Sequence, residues 1–206
     1  IGAKIACLPS ASRFSHAPQM KILWSITQSE EVNLRAKPLR EAWDARGPGL
    51  MLGVSRRVGD DAIPSKALIV PHLPHTDIEK VVDFNISAIH VHALLVNPLP
   101  ELPEVVRIAW LISRLGRNES LCDSHVQQMA LIPPILEAAE EVELARLDSR
   151  TVASALMNWC QFEPAKAQRF AETVLRWWDG ARVSRQSWES RTKQLALQSP
   201  DDTELG

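Results

Sequence analysis

Tyrosine is absent from this 206-residue chain, and aromatic residues of any kind make up only 5% of it, as seven tryptophans and four phenylalanines. Cysteine is also scarce: Cys7, Cys122 and Cys160 are odd in number, far apart and free of any C-x-x-C spacing. That pattern speaks against a disulfide scaffold or a zinc ribbon and favours reduced thiols in a cytoplasmic compartment. No apolar run approaches the roughly 18 residues that a membrane span needs. Neither sign of charge dominates, the formal net charge being -2, so nothing draws the chain as a whole to nucleic acid or an anionic membrane. The signatures of the commonest enzyme classes are missing as well. G-x-G-x-x-G, G-x-S-x-G and H-E-x-x-H do not occur, and Gly47-Pro48-Gly49 is not followed by the Lys-Ser or Lys-Thr of a phosphate loop.

What is present is punctuated apolar periodicity. Residues 1–19 are small, polar and proline-broken and lack a basic, then apolar, signal pattern. They read as a disordered leader or upstream extension before Met20. A globular domain is expected over residues 20–198, with an acidic flexible tail over 199–206. Ile22 to Thr27 suits a short strand. Pro38 and Pro48 each sit well at a first helical position, and Gly47 and Gly59 at C′ positions, which predicts two helices joined as a hairpin. Ala67 to Val70, bounded by Pro64 and Pro71, is a buried strand, and Ile86 to Val96 is better read as a second strand than as a helix.

After Leu102 the chain turns helical. Val105, Val106, Ile108, Ala109, Trp110, Leu111, Ile112 and Leu115 leave only a narrow polar stripe, so this helix is expected to be enclosed by protein, with Gly116 ending it. Pro133 opens a helix expected to turn Ile135, Ala138, Val142 and Ala145 inward. Asp148 caps another, and Pro164 starts a third that Gly180 stops. Residues 182–197 make a weaker helix. The fold class is therefore α+β and helix-dominated, with a small sheet of two or three strands and a helical bundle forming most of the core.

Chemistry-bearing residues cluster in few places. His72, His75, His90 and His92 fall within 21 residues. Strand geometry would aim His90 and His92 at one face, whereas a helix would part them by roughly 200°. Neutral imidazoles suit a transition metal such as zinc, which supports one reading, a metal-dependent hydrolase using these four histidines. Against it stand the prolines around His72-x-x-His75 and the lack of a helical metal motif. Glu137, Glu140, Glu141 and Glu143 fall opposite the apolar face of their helix and read as a solvated surface. Asp60-Asp61 reads as a turn, and Cys122 with His125 as a chance neighbour pair.

Between Glu163 and Lys193 seven basic residues face four acidic ones, with tryptophans interleaved. That excess is too thin for a phosphate-tracking stripe, which disfavours nucleic acid. Trp177, Arg185 and Trp188 instead have the composition of a protein-contact surface. The expectation ranked first is thus a non-catalytic interaction or structural domain, meeting a protein partner or forming a homo-oligomer through its C-terminal helix.

Overall fold

The computed structural model describes residues 20–60, 63–117 and 125–198. The expected leader and tail, together with Cys7, His16, Asp61 and Cys122, lie outside the described residues. The chain is α+β and helix-dominated, as its periodicity predicts. In order the elements are β1 (Lys21–Trp24), α1 (Glu30–Val58), β2 (Lys66–His72), β3 (Val82–Asp83), β4 (Ala88–His92), α2 (Glu104–Leu115), α3 (His125–Ala130), α4 (Ile132–Glu141), α5 (Ser149–Trp159), α6 (Pro164–Ala181) and α7 (Trp188–Gln198). Among these, no helix is long and apolar enough to cross a membrane.

The sheet has four strands in the order β1-β2-β4-β3, rather than two or three. The strand missed at the sequence level is β3, two residues long and antiparallel to β4 through Val82↔Ile89, too short to show any alternation. β1, β2 and β4 run parallel, with Leu23↔Leu68 and Ile69↔Ile89 as register pairs. Residues 86–96 are strand where it matters, over Ala88–His92.

The predicted hairpin of two helices is instead one helix of 29 residues, with Pro38 and Pro48 inside it. An interior proline costs a helix about 3 kcal/mol. The burial pattern explains why the chain bears it twice. Val32, Ala36, Leu39, Trp43, Gly47, Leu50, Val54 and Val58 are all buried, at steps of three and four that pass both prolines without a phase break. One unbroken stripe is buried along α1, and breaking the helix would sacrifice half of it. Ala42, next to Trp43 in the chain, faces out. Gly47 is a packing residue, since a Cβ there would lie 2.5 Å from the Trp43 ring. Gly53 lets α4 approach so closely that a Cβ would sit 2.9 Å from that of Ala138. Of the two glycines expected to end helices in this region, Gly59 does so, at φ 96°, its N–H donating to the Ser55 carbonyl.

α4 also departs from expectation, ending at Glu141 instead of running on to Ala145. Glu143 takes a left-handed φ of 58°. Its N–H donates to the Glu140 carbonyl and that of Leu144 to the Ala139 carbonyl, a Schellman stop. Such stops normally carry glycine, so a glutamate there gives no signal. Asp148 caps α5 as predicted, accepting from Thr151 N–H at 2.8 Å. Gly180 does not stop α6, which runs on through Ala181.

α2 lies at the centre. Val106, Ile108, Ala109, Leu111 and Ile112 are fully enclosed and Trp110 is 1% exposed. The Trp110 indole donates to the Gln128 carbonyl at 3.1 Å and packs 5.3 Å from the Trp159 ring. α1, α4 and the sheet surround it. Because α1 and α2 both pack on the sheet's inner face, Ala67, Ile69, Ile89 and Val91 are sealed from solvent. The opposite face, carrying Leu23, Leu68 and Val70, is only half-buried. Trp110→Ala should lower unfolding free energy by about 3–5 kcal/mol, the usual cost of emptying a buried tryptophan site. Urea denaturation followed by circular dichroism measures it, and a loss below about 1 kcal/mol would contradict this packing.

Candidate functional site

The parallel register decides where the clustered histidines go. Val70 is opposite His90 and His72 opposite His92, and paired residues point to the same side. His72, His90 and His92 therefore share the outer face, at the carboxyl ends of β2 and β4. His72 Nε2 lies 2.8 Å from His90 Nδ1, the rings 5.1 Å apart and tilted by 31°. His92 is turned aside, its Nε2 donating to the Thr76 carbonyl at 3.0 Å. His75 is exposed in the turn closed by Thr76 N–H and the Leu73 carbonyl, and does not join the pair. Burial pushes the His72 imidazole below its ordinary pKa, and the neighbouring His90 and His92 push the same way.

Glu104, in the first turn of α2, borders this cluster. It pairs with Arg107 at 2.6 Å. Burial raises its pKa, while Arg107 and His92 work in the opposite direction. Among the described residues, no three histidines, cysteines or carboxylates converge in a group able to hold a metal ion. Of the four predicted ligands, two are joined, one stands beside them and one faces away.

The C-terminal surface residues fare differently. Trp177 and Trp188 are 4% and 7% exposed, meeting edge to face at 6.2 Å, and only Arg185 is exposed. α7 folds back against α6 and encloses the tryptophans. The Trp177 indole donates to the Arg191 carbonyl at 2.8 Å, whereas Trp178 and Trp188 have buried indole N–H groups without an acceptor among the described residues. Two guanidiniums, Arg117 and Arg191, each lie over the Trp188 ring, 5.1 Å from its centre.

Arg191 is itself 8% exposed and donates to the carbonyls of Ala181 at 3.3 Å and Arg57 at 3.2 Å. Those are the closing turns of α6 and α1, where unsatisfied carbonyls attract a cation. The weakly amphipathic α7 is thus held by capping as well as by apolar burial. Sequence reasoning missed this because Arg57 and Arg191 are 134 residues apart.

The glutamates are only partly a solvated face. Glu137 pairs with Arg57 at 2.8 Å and Arg182 at 3.3 Å, and Glu141 pairs with Arg57 at 2.7 Å. These bonds tie α1, α4 and α6 together. Glu140 and Glu143 do face solvent, lining a polar cleft of about 600 Å³ with Glu101, Arg146, Asp148 and Arg150. Asp60 accepts from the Ser55 hydroxyl at the end of α1, a turn role. His125 stacks 5.9 Å from Phe162.

No protein-family model matches the chain, and no curated protein and no solved structure matches it either. What the architecture defines is the class: a helix-dominated α+β fold whose mixed, mainly parallel sheet is covered on one face.

Two outcomes follow from burial. Trp188→Ala should destabilise the fold by about 3–5 kcal/mol, read as a lower urea midpoint. An unchanged midpoint would return Trp188 to the surface. Cys160 is buried, which pushes its thiol up to about 12. Iodoacetamide at about pH 8 should therefore leave it unmodified in native protein and alkylate it in denaturant. Peptide mass spectrometry distinguishes it from the other cysteines.

Proposed function

We propose that this chain is a non-catalytic interaction domain that meets a second copy of itself through the outer face of its sheet. The single observation that carries the reading is the one-sided sheet. Leu23, Leu68 and Val70 are half-buried and contribute nothing to the apolar core that α1 and α2 form on the other side. At the carboxyl ends of β1 and β4 the following loops add Ile26, Leu95 and Val96, exposed by 82%, 56% and 79%. Exposed apolar residues gathered at one end of a sheet are characteristic of contact sites.

Charge favours a second copy as the occupant. The rows of β1, β2 and β4 carry no acid between Lys21 and Lys66 at one end and the histidines at the other, and Asp83 lies at the β3 edge beside Ala88. Lys21 and Lys66, both exposed, mark the amino end of the face, while Asp77 and Glu79 lie exposed in the segment following β2 at the carboxyl end. A two-fold axis that sets the strands of two copies antiparallel brings each lysine end to the other's acidic end. The strand rows alone cover only about 15 by 17 Å, on the order of 250 Å², well below the ~800 Å² per partner of a stable interface. The loop residues must therefore take part, and the association is a weak, micromolar one.

The proposed surface thus replaces the C-terminal helix as the contact site, because the tryptophans that recommended that helix are consumed by its own core. Sedimentation velocity across a concentration series tests this. A monomer–dimer equilibrium is expected, weakened by salt. Val70→Glu should raise its dissociation constant at least about tenfold with little change in thermal midpoint. A strictly monomeric wild-type chain at about 200 µM, or a dimer indifferent to Val70→Glu, overturns the proposal.

A further inference from the structure

We propose that His72 and His90 form a two-nitrogen chelate for a divalent transition ion of the zinc, nickel or copper class, its remaining coordination positions left to solvent. Geometry carries the proposal. Two nitrogens each about 2.0–2.1 Å from one ion, subtending a square or a tetrahedral angle, stand about 2.9–3.4 Å apart. His72 Nε2 and His90 Nδ1 stand 2.8 Å apart, so their spacing already suits one ion, and each ring must swing its lone pair about 35–45° off the line between the two nitrogens to converge on it.

The two residues are also fixed by their backbones. The His72 carbonyl accepts from Ala93 N–H at 2.7 Å and His90 N–H donates to the Val81 carbonyl at 2.9 Å. Strand positions locked in this way hold a ligand pair more faithfully than a loop would.

The chemistry of the donors selects the ion. Two imidazole nitrogens suit zinc, nickel and copper(II), whereas calcium and magnesium require oxygen ligands. Burial keeps the His72 ring in the neutral, ligating form. In the absence of an ion, the contact needs one shared proton, donated by one ring to the other. Binding moves that proton to the donor ring's remaining nitrogen, so both facing nitrogens present lone pairs and neutral rings release no net proton. His92, anchored to Thr76, borders the chelate without belonging to it. The inference is independent of the proposed dimer, because one chain supplies both nitrogens.

The test uses the full chain without an affinity tag, titrated with zinc against a chromophoric chelator. One equivalent per chain is expected. His72→Ala and His90→Ala should each weaken binding at least about tenfold, while His75→Ala and His125→Ala leave it within about twofold. Imidazole nitrogen NMR of the wild-type chain supplies a reading that does not depend on variants folding. Zinc should shift His72 Nε2 and His90 Nδ1. Absence of zinc binding, or binding that persists in both alanine variants with those two resonances unmoved, overturns the proposal.

Discussion

The enclosure of α2 is the constraint on which the rest of the structure depends. A helix with almost no polar face cannot border water, so other elements must cover it. α1 and α4 cover it from one side and the sheet from another, and the Trp110 indole must find an acceptor, which Gln128 provides. Covering α2 in this way places the helices on a single side of the sheet. The open outer face is thus a consequence of how the core is satisfied.

The same demand explains the two features of α1 that run against helix chemistry. Its interior prolines each remove a backbone hydrogen bond, and its three interior glycines lower helix propensity. Both are tolerated because they serve one continuous buried stripe. Gly47 yields its space to Trp43, and Gly53 admits α4. The charges follow the helices: once α1, α4 and α6 are brought together, Arg57 lies between Glu137 and Glu141, and Arg182 completes the set. Pairs of this partial exposure stabilise only modestly. Their larger effect is on orientation, since a guanidinium held by two carboxylates fixes how α1 sits on α4.

The functional reading rests on the surface left over after those needs are met. On the outer face apolar rows, lysines at the amino end (Lys21 and Lys66), acids beyond the carboxyl end of β2 (Asp77 and Glu79) and an imidazole pair occur together. A sheet whose one side is needed for the core is free to use the other for contact. The cleft lined by Glu140, Arg146 and Arg150 mixes both signs of charge around a helix stop and presents no convergent catalytic set among the described residues.

Amino-acid order by itself determined a good deal. The period of residues 103–115 is enough to place α2 inside, Asp148 marks the start of α5, and the β-branched run after Pro64 marks β2, because each of these signals is local. The histidine cluster was equally visible. Whether its rings meet depended on the parallel register that sets Val70 beside His90, and register is a property of two strands rather than one. Tertiary structure alone decided that Pro48 would not end a helix, that Glu143 would, and that Trp177 and Trp188 belong to the interior. In each case the local preference is worth only a few kcal/mol, and burial against residues distant in the chain outweighs it.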